Sequence, residues 1–173
     1  SPEQFVGGKL GIDATGSEVA EGIVEPLSDS ELLAKMQEID SAIHALKQYM
    51  THTKNPLCVI AVEKTKSLSD NWEKLDSLKA HIKVLVVVDK ANNDIDNPYM
   101  LIWRVVNNID AQRDIKLTPF IVIDGTNKGM IDGYEREWPG DTHCTKEVLD
   151  SLQKKGIIDI DEAFMKKFGL LPF

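Results

Sequence analysis

The sequence predicts an α/β fold, in which a mostly parallel sheet is flanked by helices. We expect a single domain with a long N-terminal helix and a helical C-terminal tail. Three short runs rich in Val and Ile indicate buried strands, over residues 57–62, 83–88 and 120–123. Continuous apolar strands that alternate with helical segments are typical of a parallel sheet covered on both faces.

The first predicted helix covers residues 29–50. Ser28 and Glu31 form the Ser-x-x-Glu pattern of a capping box at its start. Apolar residues then recur at heptad-like spacings, and they are Leu32, Met36, Ile39, Ile43, Leu46 and Met50. This stripe has two interpretations. It packs on the sheet of its own domain, or it also packs against a partner subunit and forms an oligomer interface.

Four further helices are predicted, over residues 72–80, 97–108, 145–155 and 161–168. Asn97 followed by Pro98 is a favourable pair for a helix start. Gly156 and Gly169 follow the last two helices, as is common at helix ends. Residues 10–13 form one more strand candidate, and the apolar tail after residue 168 is expected to dock on another surface.

Composition indicates an ordinary globular protein, with 42% hydrophobic and 28% charged residues. The net charge of −8 argues against nucleic acid binding, which requires clustered basic residues. The longest apolar run, Leu57–Val62, is too short to cross a bilayer, so we expect a cytoplasmic protein. Cys58 lies within that run and is expected to be a core residue.

The stretch DKANNDIDN, residues 89–97, places Asp94 and Asp96 in an acidic turn after a predicted strand. Such carboxylates suit Mg²⁺ or Ca²⁺, but the glycine and the closing glutamate of an EF-hand are missing. Turn and capping hydrogen bonds are the favoured interpretation. The four His residues share no metal-ligand spacing, and no phosphate-binding or acyl-transfer motif is present. We therefore predict no catalytic and no metal-ligating residue in this chain.

Lys128 and Arg136 flank a glycine-rich turn that follows the last predicted strand. Two cations in this position could hold an anion or a carboxylate. The alternative is a structural ion pair with Glu135 or Glu137.

Residues 84–115, VLVVVDKANNDIDNPYMLIWRVVNNIDAQRDI, resemble the C-terminal lobe of the UbiD-type decarboxylases. The shared elements are an apolar strand, an acidic turn at 94–96, Ile-Trp at 102–103 and Asp-x-x-Arg-Asp at 110–114. The family continues into an Asp-Ala-Thr-Asn-Lys turn and then Arg-Glu-Trp, which residues 124–128 and 136–138 match in order. Gly125 replaces the family's Ala, and the resemblance covers residues 55–155.

The opening residues 1–16, SPEQFVGGKLGIDATG, resemble the end of the same lobe. Their Ile-Asp-Ala-Thr step repeats the Ile-Asp-Gly-Thr step at Asp124, although Gly16 stands where the family has Asn. The resemblance implies that residues 1–28 are the tail of a preceding lobe with a linker, and that residues 29–173 are a second copy. The missing initiator Met agrees with a piece cut from a longer bacterial member of the family.

The resemblance also implies a function. The family removes CO₂ from aromatic or α,β-unsaturated acids with prenylated FMN, and with Mn²⁺ and K⁺ at the cofactor phosphate. Its catalytic groups and most cofactor ligands lie upstream of this lobe, and nothing in this chain matches them. We therefore expect the full-length protein to decarboxylate an aromatic quinone precursor.

For this chain the resemblance implies an assembly role beside upstream catalytic domains, within a homo-oligomer and with no cofactor of its own. Two alternatives remain open. The lobe completes the substrate pocket through Lys128 or Arg136, beside Asp124 and Thr126 in the same turn. Otherwise it is a non-catalytic module that binds a small molecule or an anion.

Overall fold

The computed structural model describes residues 24–65, 72–117, 120–140 and 144–168. Within these ranges the strands are β1 (Ile43–Tyr49), β2 (Leu57–Val62), β3 (Val84–Asp89), β4 (Ile115–Lys116) and β5 (Ile121–Asp124). The α-helices are α1 (Asp29–Ile39), α2 (Pro98–Asn108), α3 (Ala111–Asp114), α4 (Lys146–Lys154) and α5 (Glu162–Phe168). Two 3-10 helices span Trp72–Leu78 and Met130–Asp132.

The five described strands form one sheet in the order β1-β2-β3-β5-β4. The central pairs, β2 with β3 and β3 with β5, are parallel. Both outer pairs, β1 with β2 and β4 with β5, are antiparallel. The predicted α/β class is confirmed, but the sheet is mixed, so the expectation of a mostly parallel sheet is not confirmed.

Apolar side chains cover both faces of the sheet, and β2 contributes to each. Cys58, Ile60 and Val62 join the first core cluster with α1 and the 3-10 helix Trp72–Leu78. Val59 and Ala61 point the other way and join the second cluster with α2. Successive side chains of a strand alternate between faces, so a continuous apolar run fits a strand buried on both sides. The expected burial of Cys58 is confirmed, because it is 1% exposed.

The predicted helix over residues 29–50 is wrong in its second half. The capping box at Ser28 and Glu31 is present, but α1 ends at Ile39, and residues 43–49 form strand β1. A register shift between Ile43 and Ala45 places Ile43 and Leu46 on the same face of the sheet. This β-bulge explains the error, because it gives a strand the three-residue spacing of a helix.

The apolar stripe is therefore divided between α1 and β1. Leu32, Met36, Ile43 and Leu46 are all buried in the first core cluster, and Ile39 packs against it. Met50 follows β1, has a positive φ of 57° and is 65% exposed. Burial within the domain favours the first interpretation of the stripe, packing on its own sheet, over a partner-subunit interface.

The other elements agree closely with the sequence. Strands β2, β3 and β5 coincide with the predicted runs to within a residue, and α2 begins at Pro98 with Asn97 as its N-cap. Gly156 has a positive φ of 68° after α4, which suits a glycine at a helix end. The strand candidate at residues 10–13, the proposed lobe tail before residue 24 and the apolar tail after Phe168 lie outside the described residues.

Candidate functional site

The chain leaves the carboxyl ends of β2 and β3 toward opposite faces of the sheet. The next described element after β2 is the 3-10 helix Trp72–Leu78, whose Leu75 and Leu78 belong to the first core cluster. After β3 the chain enters α2, whose Leu101 and Val105 belong to the second. In open α/β sheets a crevice forms where neighbouring loops separate in this way, and ligands bind there.

A cleft of about 590 Å³ lies at this point. It is lined by Val62, Glu63, Lys64, Asp89, Lys90, Ala91, Asn92 and Asn127. Two lysines and two carboxylates contribute to the lining, so positive and negative groups are balanced. The Lys90 ammonium group lies 3.8 Å from the Glu63 carboxylate, and both side chains are more than half exposed.

Lys64 connects the loop after β2 to the turn after β5. Its ammonium group donates to Thr126 Oγ1 at 2.9 Å, to the Asn127 carbonyl at 3.1 Å and to Asp132 Oδ2 at 2.8 Å. The side chain is 6% exposed. All three ammonium donors have protein acceptors, so Lys64 acts as a cross-link between loops. Sequence reasoning missed it, because a single lysine after a strand carries no local signal.

Lys128 is buried behind the same turn. Its ammonium group donates to the Asp124 carbonyl at 2.9 Å and to the Thr126 carbonyl at 2.7 Å. It also lies 3.1 Å from Asp124 Oδ1 and 3.8 Å from Asp114 Oδ1. With a side chain only 2% exposed, Lys128 is directed at protein acceptors and has no donor left for an outside anion.

Asp124 and Thr126 shape the turn itself. Asp124 Oδ1 accepts hydrogen bonds from the Thr126 N–H at 3.0 Å and from the Thr126 hydroxyl at 2.5 Å. This is the side-chain-to-backbone pattern by which Asp stabilises turns. Thr126 has no exposed surface. Both predicted site residues are thus brought together with Lys128, in a closed hydrogen-bonded cluster.

Gly125 departs from the family pattern for a steric reason. A Cβ at this position would lie 2.8 Å from Cγ2 of Val105 and 3.2 Å from the Val87 carbonyl oxygen. The Gly125 N–H also donates to that carbonyl at 2.9 Å. The turn therefore packs directly against α2 and β3, at a distance that favours glycine.

Asp89 joins the end of β3 to the turn after β5, because its Oδ2 accepts the Asn127 N–H at 2.8 Å. Burial raises the pKa of Asp89, while the Asn127 hydrogen bond and the Lys64 charge work in the opposite direction. Asn108 strengthens the same junction by donating to the Gly125 carbonyl and to Asn127 Oδ1. The floor of the cleft is thus held by hydrogen bonds between its own loops.

Asp114 forms the inner end of a second ion pair. Arg113 donates to both of its carboxylate oxygens, at 2.7 and 2.6 Å. Burial by itself works to raise the pKa of Asp114, but the hydrogen bonds from Arg113 and from the Asp110 N–H prevail, so this pKa is lowered. Asp114 therefore stays ionised and supplies negative charge near Lys128.

Arg136 lies in a different setting from Lys128. Its guanidinium carbon is 5.8 Å from the ring centroid of Tyr134, and the side chain is exposed. Tyr134 contacts Trp138 edge to face, and Arg113 lies 5.9 Å from both rings. Arg136 thus belongs to an exposed cluster of cations and aromatic rings, whereas Lys128 belongs to the buried cluster.

The acidic turn uses its polar groups for turn and capping contacts. Asp94 Oδ1 accepts the Asp96 N–H at 2.9 Å, and Asp96 pairs with Lys47 at 3.2 Å. Asn97 caps α2 by accepting the Met100 N–H. These contacts favour the turn interpretation over a cation site. In the described ranges, no three His, Cys, Asp or Glu side chains are grouped in a way that could hold a metal ion.

Comparisons with known proteins were made for sequence and for structure. The family model for the 3-octaprenyl-4-hydroxybenzoate carboxy-lyase C-terminal domain matches residues 23–151, which is more than half of the chain. The chain is also 48% identical over 172 residues to an uncharacterized protein of Helicobacter pylori strain 26695, and 47% identical to one of strain J99. Each alignment covers 98% of this chain but only 28% of the relative's length.

Solved structures share the fold. The vanillic acid decarboxylase of Sedimentibacter hydroxybenzoicus in its open form, with truncated ShVdcD, matches with a TM-score of 0.52 and 16% identity. That match covers 75% of this chain and 32% of the decarboxylase chain. An evolved dimeric form of the UbiD-class enzyme HmfF from Pelotomaculum thermopropionicum, in complex with prFMN, matches with a TM-score of 0.50 and 18% identity. It covers 75% of this chain and 29% of that one. At these identities the likeness establishes the fold.

No helix in the described part of the chain combines the length and apolar character needed to span a bilayer.

Proposed function

The chain belongs to the UbiD carboxy-lyase family, in which it matches the C-terminal domain, and we propose that it is a non-catalytic assembly domain of a longer decarboxylase. The observation that carries this proposal is the closed polar cluster after β5. Lys64 and Lys128 direct all their donors at protein acceptors, so the family's motif residues stabilise a turn.

The described residues do not fit a flavin phosphate. A phosphate requires several free N–H or ammonium donors that converge on one point. At the cleft, the Lys64 donors are already paired, and the carboxylates of Glu63 and Asp89 would repel an anion. We therefore assign the prenylated FMN, with its Mn²⁺ and K⁺, to domains of the intact protein outside this chain.

The intact protein is proposed to remove CO₂ from an aromatic quinone precursor, in the cytoplasm and as a homo-oligomer. Loss of CO₂ from an aromatic acid needs an electron sink, which a cofactor supplies better than protein side chains do. The descriptions of two structural neighbours support the decarboxylase part of this proposal. One is described as a vanillic acid decarboxylase, and the other as a dimeric UbiD-class enzyme in complex with prFMN.

We also propose that residues 1–28 are the end of a preceding lobe and its linker, and that the second lobe starts at residue 29. The match to the family model begins at residue 23, within the proposed linker.

The test compares the intact protein with this chain alone, both supplied with prenylated FMN and an aromatic acid substrate. We expect the intact protein to release CO₂ and to hold the flavin through gel filtration, whereas the isolated chain does neither. Turnover or flavin retention by the isolated chain at the level of the intact protein would contradict the assembly role. Absence of decarboxylation by the intact, flavin-loaded protein would contradict the enzyme assignment.

Pocket completion by Arg136 is the second candidate. The exposed Arg136 guanidinium lies beside Tyr134 and Trp138, and a cation beside aromatic rings suits an aromatic carboxylate. In the intact enzyme, Arg136→Ala should then raise KM roughly ten- to a hundredfold, since loss of a charged contact costs roughly 1.5 to 3 kcal/mol. An unchanged kcat/KM would remove this candidate.

A further inference from the structure

Helix α2 has two apolar faces, and the described residues cover only one of them. The inner face buries Leu101 and Val105 against the sheet. The outer face carries Tyr99, Ile102, Trp103 and Val106, which are 57%, 64%, 36% and 60% exposed. We call these four residues the outer stripe. Their spacing of three, four and seven residues from Tyr99 aligns them along one side of the helix.

The outer stripe is too continuous for chance exposure of single residues. Isolated apolar side chains are common on protein surfaces, but a contiguous patch on one helix marks a contact site. The four side chains expose on the order of 400 Å² together, which is comparable to the largest patch on a typical monomer. At one end of the stripe, Tyr99 already contacts α5. The ring centroids of Tyr99 and Phe168 are 6.4 Å apart, and the Lys167 ammonium group lies 4.2 Å from the centroid of the Tyr99 ring.

The size of the stripe decides between a second copy of the chain and another domain as its occupant. If a second copy placed its own stripe against this one, the contact would bury roughly 800 Å², below the ~1,200 Å² of stable interfaces between separate proteins. A covalently connected partner does not need such an area, because a tether gives an effective concentration in the millimolar range. The chain spans only 28% of its relatives' length, so in a protein of their length most residues would be available as that partner.

We infer that the outer stripe of α2 docks on an apolar surface of another domain of the same polypeptide. This inference rests on the proposed function, in which the chain is one domain of a longer carboxy-lyase. The contact specifies the surface through which the chain would fulfil its assembly role. The side chains at Ile102, Trp103 and Val106 form the contact, and Tyr99 lies at the edge toward α5.

The experiment is hydroxyl-radical footprinting of the intact protein, with oxidation of Trp103 read by mass spectrometry. In the wild-type protein we expect Trp103 to be oxidised more slowly than in the variants below, at a rate that does not change when the protein is diluted a hundredfold. Val106→Glu places a charge in the contact and should raise oxidation of Trp103 about threefold or more. Val106→Gln, a milder change, should act in the same direction and serves if the charged variant folds poorly.

Val148→Glu is the matched control, because Val148 is an exposed valine on helix α4, 46% exposed and outside the outer stripe. It should leave oxidation of Trp103 at the wild-type rate. Equal oxidation of Trp103 in the wild-type protein and in both Val106 variants would overturn the inference. Protection of Trp103 that disappears when dilution dissociates the oligomer would also overturn it, because the stripe would then contact a second copy. Decarboxylation is assayed in the same samples. If the enzyme is active but Trp103 is not protected, only the docking contact is contradicted. If Trp103 is protected but the protein is inactive, only the proposed reaction is contradicted.

Discussion

Two Lys–Asp pairs in this domain share their chemistry and differ in burial. The Lys128 ammonium group lies 3.1 Å from Oδ1 of Asp124, which precedes it by four residues. The two side chains are 2% and 18% exposed. Lys146 lies 2.9 Å from Asp150, four residues after it, and the side chains are 67% and 61% exposed. Sequence separation and distance are nearly the same, so the surroundings decide what each pair contributes.

The buried pair is part of a larger cluster, whereas the exposed pair stands on a helix surface in contact with water. Around Lys128, the carbonyls of Asp124 and Thr126 and the carboxylate of Asp114 complete the cluster. An exposed pair is screened by solvent and contributes little. A buried pair contributes little in net terms too, but removal of one partner leaves the other charge uncompensated. Because the pair is buried, removal of one partner destabilises the fold strongly.

The largest effect is expected from Lys128→Ala. The change leaves the carboxylates of Asp114 and Asp124 without their shared cation and two carbonyls without a donor. We expect the free energy of unfolding to fall by about 4 kcal/mol, as for a broken buried ion pair. Urea-induced unfolding of the domain, followed by circular dichroism, measures this value.

The matched control is Lys146→Ala, which removes a lysine from the exposed pair at the same separation from its aspartate. We expect no resolvable change in the urea midpoint, because both side chains are largely in water. A loss at Lys146 as large as that at Lys128 would show that burial is not the deciding factor.

A smaller effect is expected from Asp114→Asn, and it should depend on pH. The lowered pKa of Asp114 means that its ionised form stabilises the fold. This stability is present above the ordinary aspartate pKa of about 3.9 and is lost as the pH falls through the lowered pKa. We expect a penalty of about 3 kcal/mol at pH 7, since a buried ion pair loses one charge.

The penalty of Asp114→Asn should shrink as the pH is lowered below about 3.9, because the aspartate of the unfolded wild-type chain is then protonated while folded Asp114 is still ionised. It should vanish once the pH is below the lowered pKa of folded Asp114. Urea unfolding of both proteins at neutral and at acidic pH gives the two values. A penalty that is the same at both would mean that the charge of Asp114 does not contribute to stability.

Much of the fold could be predicted from the sequence because its signals are local. The apolar runs at 57–62 and 83–88 are long enough to indicate buried strands, and Asn97 with Pro98 marks the start of α2. The assignment of β1 failed because a bulge between Ile43 and Ala45 imitates helical spacing. Pairing with β2 then decides the conformation, and no local pattern reveals a partner strand.

For the same reason the grouping of the turn residues could be predicted from the sequence, whereas their anion-binding role stays a prediction. Asp124, Thr126 and Lys128 were recognised from their order in the turn, and the structure places them in one cluster. Lys64 was missed, although it contacts Thr126 and Asp132 from a loop more than sixty residues earlier. The orientation of Lys128 could not be predicted from the sequence either, since a lysine after a strand can point into solvent or into the protein.

The sequence by itself determined the α/β class, the three apolar strands β2, β3 and β5, the capped starts of α1 and α2, and the family. These depend on residue types at fixed short spacings, which act within a few residues of the chain. Only the tertiary structure decided that residues 43–49 form an edge strand, that Lys128 faces inward and that the outer stripe of α2 remains exposed. Each of these depends on contacts between segments far apart in sequence, where burial sets the energy of a charge or of an apolar side chain.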